Sequence, residues 1–288
     1  MPMQLVADSG STKTVWQWIA PGGAVHEART AGINPYYLGA SDIEAILTRE
    51  LVPALAVDDV ATHDVMALFF YGAGCSLGAR QALVREAMAR SFPQASIAVE
   101  SDLLGAARAL CGHSAGIVCV LGTGSGSCYY DGSVIAATVP SLGFILGDEG
   151  GGAHIGKKIV TAFLRGELPP AVAWRLQDDL AITKEVVLDR VNRGPMPSRY
   201  LAGFARFASE QQDDPYVRKV IYDSFSEFVE HYVMRYDGKS RLPVHVVGSV
   251  AFHNLAILQA VARDRGFVLG NVLASPIDAL RAFHQPGA

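Results

Sequence analysis

A short turn near the start of the chain carries groups that bind phosphate in proteins. It follows the apolar run Met3–Ala7 and contains Asp8, Gly10, Ser11, Thr12, Lys13 and Thr14. Backbone amides and hydroxyls that converge on such a turn can hold phosphate oxygens, and a lysine adds positive charge. Asp8 is placed to hold Mg²⁺ through water, because Mg²⁺ keeps several of its own water ligands. The turn therefore predicts a phosphate and magnesium site, with an ordinary hairpin loop as the alternative.

Two further turns of small residues are candidates for contacts with a nucleotide. The first of them contains Gly122, Thr123, Gly124, Ser125 and Gly126. Glycine weakens a strand by about 0.5–1 kcal/mol relative to alanine, so three alternating glycines favour close approach of a ligand. The other, Gly248-Ser249, follows the apolar run Val244–Val247 and would let a flat nucleoside lie against the backbone. For this last turn a routine strand-to-helix connection is equally compatible with the sequence.

Acidic residues occupy two places where they could act on substrate hydroxyls. Asp148 and Glu149 lie in the glycine-rich segment that begins at Gly143, and they could accept hydrogen bonds there or cap the next helix. Asp102 follows the predicted strand Ile97–Glu100 and precedes a predicted helix, where it could take the proton from an attacking hydroxyl. Because a helix N-terminus favours the charged form, Asp102 is expected to be ionised, with a capping role as the alternative.

The elements that would position these residues form a pattern that occurs twice. Strand, Gly/Ser/Thr turn, strand, turn and strand open the chain, and the same series restarts at Ile117. Helical spacing covers Ser41–Leu51, with Ser41 as the expected N-cap, and dominates Ala153–Tyr236. The repeat predicts an α/β protein of two domains, 1–112 and 113–288, each with a mixed β-sheet flanked by helices. We expect a ligand cleft between the two domains.

Composition narrows the range of functions. The formal net charge is −4 and there is no block of Lys or Arg, so neither nucleic acid nor an acidic membrane surface is an expected partner. The first residues, from Met1 to Asp8, lack the basic and long apolar regions of a signal peptide. The four cysteines show no C-x-x-C spacing and fit buried thiols in a reducing compartment, so we expect a cytoplasmic protein.

Taken in order, the motifs resemble those of a known superfamily. The phosphate-1, phosphate-2, acidic and adenosine motifs of the actin/hexokinase/Hsp70 superfamily are similar to Asp8-x-Gly10-x-Thr12-Lys13-Thr14, Gly122-Thr123-Gly124-Ser125, Gly147-Asp148-Glu149-Gly150 and Gly248-Ser249-Val250. Within it, the chain resembles the BadF/BadG/BcrA/BcrD ATPase family, and there the N-acetylglucosamine and glucosamine kinases. The resemblance covers nearly the whole chain and extends to Ser275-Pro276-Ile277-Asp278. Each motif alone is weak evidence for this resemblance, whereas all of them in the same order are strong evidence for it.

The resemblance implies two ribonuclease-H-like, actin-like ATPase domains that close on ATP, Mg²⁺ and a sugar. It implies transfer of the γ-phosphoryl group to a hydroxyl, expected to be the 6-OH, of an amino sugar such as N-acetylglucosamine or glucosamine. Residues 275–288 are expected to return to the N-terminal domain. A homodimer is expected because many family members are dimers.

Individual roles are also implied by the resemblance. Thr12 and Thr123 would contact ATP phosphates, and Gly248 and Ser249 would flank the nucleoside. Asp102 matches the catalytic aspartate. The positions expected to contact the sugar are Asn34, Asp102, Ser125, Gly126, Gly143, Asp148 and Glu149.

Four alternative functions make different demands on the sequence. An N-acetylmuramic acid kinase would differ in the sugar substituent. An activator-type ATPase that serves a redox partner would need an iron–sulfur cluster, and the spacing of Cys75, Cys111, Cys119 and Cys128 shows no paired ligands for one. A sugar-sensing repressor would need a helix-turn-helix, for which no room precedes the strand at Met3. A dinucleotide-binding oxidoreductase would need G-x-G-x-x-G, from which residues 72–78 depart by one position.

Overall fold

A computed structural model of the protein describes residues 3–20, 22–236 and 241–285. The chain divides into two compact units. The first comprises residues up to Gly112 together with the segment from Pro276 onward, and the second runs from His113 to Ser275. Met1 and Pro2, which entered the prediction about a signal peptide, lie outside the described residues, as do the last three residues of the expected C-terminal segment.

Strands and helices are numbered in chain order. The strands β1–β10 are Met3–Ser9, Lys13–Ile19, Val25–Ala31, Val65–Gly72, Ser96–Ser101, Gly116–Leu121, Ser125–Tyr130, Ile135–Val139, Val244–Val247 and Leu269–Leu273. The helices α1–α13 are Ala40–Ile46, Val52–Ala56, Gly78–Ser91, Asp102–Cys111, Gly143–Leu146, Gly152–Leu164, Pro170–Leu180, Lys184–Asn192, Pro197–Glu210, Pro215–His231, Ser249–His253, Leu255–Arg265 and Ile277–Phe283.

The two sheets have the same topology. Within the described ranges, the first unit has the strand order β3-β2-β1-β4-β5 and the second has β10-β9-β6-β7-β8. In each, a three-stranded antiparallel meander is extended by two strands that run parallel to its first strand. Each meander turns first through three residues, 10–12 in one unit and 122–124 in the other. The predicted fold class and its internal repeat are therefore confirmed.

Two predictions about secondary structure were wrong. Helix α1 begins at Ala40 with Gly39 as its N-cap, and the Gly39 amide donates to the Asp42 side chain, so Ser41 is not the cap. The helix also does not run unbroken to Leu51, because residues 47–51 form a π turn before α2 begins. Strand β10 was not predicted, since its sequence, LGNVL, combines glycine and asparagine with no apolar alternation.

Separate apolar cores support the two sheets. In the first unit, the central strand β1 is buried through Leu5, Val6 and Ala7 because helices cover both faces of the sheet. One of these helices is α13, whose Ile277 and Leu280 pack on Val6 and its neighbours. Burying such side chains stabilises the fold by about 1.5–3 kcal/mol each. In the second unit, helices α6, α9 and α10 form the larger core over β6 and β9.

Among residues 3–20, 22–236 and 241–285, no helix is both long enough and apolar enough to cross a bilayer.

Candidate active site

In the first unit, the predicted residues gather at the carboxyl edge of the sheet. Strands β1, β4 and β5 are parallel, and their register aligns Ser9 with Gly72 and Gly72 with Ser101. Asp8 lies one residue before this row and Asp102 one residue after it. Since neighbouring strands are about 4.8 Å apart, the two carboxylates belong to the same edge of one sheet, two strands from each other.

Two buried hydroxyls hold the first turn in place. Ser9 accepts a hydrogen bond from the Ile33 amide at 3.0 Å, and its Oγ lies 2.7 Å from Oγ1 of Thr14. Thr14 in turn donates to the Ala31 carbonyl at 3.2 Å, and both hydroxyl residues are fully buried. The prediction that the Thr14 hydroxyl contacts phosphate is therefore wrong, because that group points into the unit. Ser9 was not among the predicted site residues, although its place beside Asp8 was a signal.

The surface of this turn consists of residues 10–13, which are exposed. The Gly10 amide donates to the Lys13 carbonyl at 3.0 Å, which closes the turn. Ser11 accepts a hydrogen bond from Nδ2 of Asn34 at 2.7 Å, so the predicted sugar-contacting asparagine is tied to the predicted phosphate turn. Oδ1 of Asn34 also accepts from the Tyr36 amide at 3.0 Å. These bonds fix the Asn34 side chain and leave one amide hydrogen for a ligand.

Asp8 and Asp102 influence one another electrostatically. Burial, followed by the charge of Asp102, raises the pKa of Asp8 to about 7, although Lys13 opposes the shift. Burial also raises the pKa of Asp102, and the backbone hydrogen bond from Leu103 only partly offsets this. Two carboxylates held at one sheet edge, each costly to ionise, form a site in which a cation or a proton lowers the free energy.

The place of Asp102 on its helix bears on its charge. Ser101 is the N-cap of α4 and accepts from the Leu104 amide at 3.2 Å, so capping does not occupy Asp102. Oδ1 of Asp102 accepts from the Leu103 amide at 2.9 Å. Burial raises the pKa of Asp102 by more than that hydrogen bond lowers it, so the helix N-terminus does not set the direction of the shift. A carboxylate with a raised pKa is a stronger base once it is ionised.

In the second unit, the turn at residues 122–124 is fastened to the start of α6. The Gly152 amide donates to the Gly122 carbonyl at 2.8 Å, and the Ala153 amide donates to the Thr123 carbonyl at 2.9 Å. The N-cap of α6 is Gly151, with no side-chain cap. Capping is thus ruled out as the role of Asp148 or Glu149, and the acidic segment and the glycine turn form one structural piece.

Asp148 lies at the centre of this piece in a strained conformation. Its φ is 60°, in the left-handed region that few residues other than glycine adopt. Oδ1 of Asp148 accepts from the Ser125 amide and from the Ser141 hydroxyl, both at 3.3 Å. Burial raises the pKa of Asp148, and the hydrogen bonds from Ser125 and Ser141 oppose the shift. Ser141, which follows β8, was not predicted as a site residue.

Two buried polar atoms near Asp148 have no hydrogen-bond partner among the described residues. They are the Ser125 hydroxyl and one carboxylate oxygen of Glu149. An unpaired buried polar group costs about 1–3 kcal/mol, so such atoms point to a ligand that would satisfy them. Gly126 lies beside Ser125 in β7, and Gly143, another expected sugar contact, begins the short helix α5. Residues 125, 126, 148 and 149 are therefore brought together.

The predicted nucleoside turn joins the same edge of the second sheet. Val247 pairs with Val120 in the parallel ladder between β9 and β6, so Gly248 lies beside the end of β6. A side chain at Gly248 would overlap the Leu121 carbonyl, and its φ of 132° also requires glycine. Ser249 begins α11. The three predicted motifs of this unit thus meet at one edge.

Known proteins that are similar to this chain are found among solved structures. No protein-family model and no curated protein matches the chain. Among solved structures, it is similar to the protein named Putative N-acetylglucosamine Kinase from Porphyromonas gingivalis, with 41% identity over 98% of each chain and a TM-score of 0.92. A second protein of that name, from Chromobacterium violaceum, shares 18% identity over 99% of each chain, with a TM-score of 0.70.

A more distant structure shows how widely the fold occurs. The glucokinase of the ROK family from Streptomyces griseus, solved with glucose and AMPPNP, shares 16% identity over 96% of this chain and 97% of its own, with a TM-score of 0.57. The repeated mixed sheets, with turns at their carboxyl edges, are the fold that this chain shares with these structures. Its 41% identity to the Porphyromonas gingivalis protein shows the family as well, and the chain belongs to the BadF/BadG/BcrA/BcrD ATPase family.

Proposed function

We propose that this protein is an ATP-dependent kinase that phosphorylates a hydroxyl, the 6-OH, of an amino sugar such as N-acetylglucosamine or glucosamine. The observation that carries the proposal is the 41% identity, over 98% of both chains, to the Porphyromonas gingivalis protein. The unpaired oxygens of Ser125 and Glu149, together with Asp148, support it, since a sugar offers several hydroxyls to such partners.

In this proposal the first unit holds the base and a turn that binds phosphate. The exposed turn of residues 10–13 binds phosphate oxygens through its amides and hydroxyls. Asn34 donates its remaining amide hydrogen to the sugar. Asp102 accepts the proton of the attacking hydroxyl through Oδ2, because Oδ1 is held by the Leu103 amide.

In this proposal the second unit binds phosphate, the nucleoside and the sugar through its own residues. Gly122, Thr123 and Gly124 bind phosphate oxygens, and Gly248 and Ser249 lie against the nucleoside. Ser125, Gly126, Gly143, Asp148 and Glu149 contact the sugar. The hydroxyl and the carboxylates among them accept or donate hydrogen bonds, while the glycines admit the ring close to the backbone.

The residues at the first sheet edge suit Mg²⁺, which this reaction requires. Asp8 would hold the ion through water, and the mutual repulsion of Asp8 and Asp102 would be relieved by a divalent cation. When bound, Mg²⁺ would neutralise negative charge on the phosphates. The protein residues then orient the hydroxyl and remove its proton.

The experiment that tests the proposal measures ADP release with N-acetylglucosamine, glucosamine, N-acetylmuramic acid, glucose and no sugar. We expect release with at least one amino sugar, release below a tenth of that rate without sugar, and a product phosphorylated at the 6-OH by NMR. Release that is independent of sugar would contradict a kinase. An iron-containing brown protein with such release would indicate the activator-type ATPase.

Asp102→Asn tests the assigned base. General base catalysis contributes about 10²–10⁴-fold, so we expect turnover to fall by that factor while the affinity for ATP changes less than about threefold. Asp42→Asn is the matched control, because Asp42 also accepts a backbone hydrogen bond at a helix start in the same unit. Near-normal turnover of Asp102→Asn would remove this residue from the mechanism.

A further inference from the structure

A chain of polar side chains lies beneath the acidic turn of the second unit and contains none of the predicted site residues. Oγ of Ser224 lies 3.1 Å from the Gly150 amide nitrogen and 2.8 Å from Nδ1 of His154. Nε2 of His154 lies 3.3 Å from Glu227, whose other oxygen accepts from Lys158 at 2.6 Å. Ser224 is fully buried and His154 is 8% exposed. The chain therefore connects a protein surface ion pair to a buried backbone amide.

The two ends of this chain, together with a neutral His154, fix the directions of its hydrogen bonds. The Gly150 amide can only donate, so Ser224 accepts from it and has its own proton free to donate to Nδ1 of His154. Glu227 is a carboxylate beside Lys158 and can only accept, so Nε2 of His154 carries the proton. A neutral His154 with its hydrogen on Nε2 satisfies every contact, and burial lowers the pKa of His154, which favours the neutral form.

The amide at the end of this chain belongs to the turn that carries Asp148. Asp148 and Gly150 both have positive φ, 60° and 76°, and the Gly151 amide closes the turn on the Asp148 carbonyl at 3.0 Å. A side chain at Gly150 would lie 2.9 Å from Cβ of Phe228, one helical turn beyond Ser224 on α10. The turn thus rests directly on α10, and Ser224 is the polar group that meets it there.

We propose that Ser224 and His154 are positioning residues that hold the turn at residues 148–150 in its strained, substrate-ready form. The inference rests on the proposed function, because it takes Asp148 and Glu149 as sugar contacts. The strained conformation of Asp148 persists only where surrounding groups enforce it. The chain of polar side chains enforces it by holding the Gly150 amide through Ser224. Loss of the Ser224 hydroxyl would leave that amide buried without an acceptor and let the turn relax.

The first experiment compares steady-state kinetics of Ser224→Ala with those of Ser209→Ala. Ser209 is a helical serine of the same unit whose hydroxyl bonds the Ala205 carbonyl and Asn254, and its described hydrogen bonds do not involve residues 148–150. For Ser224→Ala we expect the KM for the sugar to rise about tenfold and the KM for ATP to stay within about twofold. For Ser209→Ala both values should stay within about twofold.

Variants of His154 separate positioning from packing. His154→Gln keeps an acceptor for Ser224 and should hold the KM for the sugar within about threefold of the parent value. His154→Leu keeps the volume but leaves the buried Ser224 proton without an acceptor, so Ser224 is no longer held toward the Gly150 amide and the KM for the sugar should rise as it does in Ser224→Ala. If Ser224→Ala and His154→Leu both leave the ratio of the two KM values unchanged, the proposal is overturned, whatever their effect on thermal stability.

Two structural readouts keep the inference testable even if no sugar is phosphorylated. Hydrogen exchange of a peptide covering residues 147–152 should be faster in Ser224→Ala and unchanged in Ser209→Ala. Nitrogen-15 NMR of the imidazoles should show one neutral histidine protonated on Nε2 that disappears in His154→Gln. Equal exchange in both serine variants, or His154 protonated on Nδ1, would refute the positioning role. Failure of the ADP-release assay alone would refute only the proposed function.

Discussion

His284 gives the clearest prediction about stability, because its surroundings oppose its protonation. Its ring stacks on Phe69 with ring centroids 3.6 Å apart, and its Nε2 lies 2.7 Å from the Tyr71 hydroxyl. The same hydroxyl accepts a hydrogen bond from Arg108 at 2.9 Å, so Tyr71 donates its proton to a neutral His284. Burial, and then the charge of Arg108, lower the pKa of His284 to about 4. These contacts fasten the end of α13 to β4 and α4.

The direction of the pH effect follows from where the proton binds more tightly. An unfolded histidine has a pKa of about 6.5, so below that pH the unfolded chain gains a proton that the folded chain does not. The contribution of His284 to stability is therefore complete above about pH 7 and falls as the pH drops from about 6.5 to about 4. Between pH 7 and pH 5 the loss is roughly 2 kcal/mol for this residue.

The assay compares urea unfolding of the parent protein and His284→Gln at pH 7 and pH 5. Both proteins carry Trp174→Phe, which removes the tryptophan of the second unit and leaves buried Trp16 and Trp18 to report on the first unit. Glutamine does not titrate, so the parent should lose roughly 2 kcal/mol more than His284→Gln between the two pH values. Histidines shared by both proteins cancel in this comparison.

One result would refute this reasoning. If the parent and His284→Gln lose the same free energy of unfolding between pH 7 and pH 5, then His284 is protonated equally in the folded and unfolded chain. A lower stability of His284→Gln at pH 7 alone would not bear on the prediction, since the variant also loses the stacking on Phe69.

The remaining predictions concern the glycine turn of the second unit and the thiols. Gly124→Ala would place a methyl 2.6 Å from Oδ2 of Asp148 and should cost about 1–3 kcal/mol, whereas Gly126→Ala meets open space and should leave the melting temperature nearly unchanged. Equal melting temperatures of the two variants would show that the Asp148 carboxylate does not lie against Gly124. Burial raises the pKa of Cys75 to about 12 and of Cys111 to about 11, so alkylation at pH 8 should modify fewer than one thiol per native chain and all four in urea. Rapid modification of two or more native thiols would contradict this burial.

Local sequence determined most of the secondary structure and the repeated order of the elements. Apolar runs such as Ile117–Leu121, separated by Gly/Ser/Thr turns, follow from periodicity over a few residues, which depends little on distant partners. The motifs around Asp8, Gly124, Asp148 and Gly248 could likewise be found, because each is contiguous in the chain. Strand β10 could not, since an edge strand with Gly270 and Asn271 is defined by its pairing with β9.

Tertiary structure decided what individual side chains do. Ser11 and Thr14 are three positions apart in one predicted motif, yet hydrogen bonds with Ile33 and Ala31 hold the Thr14 hydroxyl inside the unit while Ser11 stays on the surface. The pKa of Asp102 is raised by burial, which no local pattern reports. Ser224 meets Gly150 across 74 positions of sequence, and His284 meets Tyr71 across 213. Sequence patterns record neighbours along the chain, whereas hydrogen bonds and desolvation depend on neighbours in space.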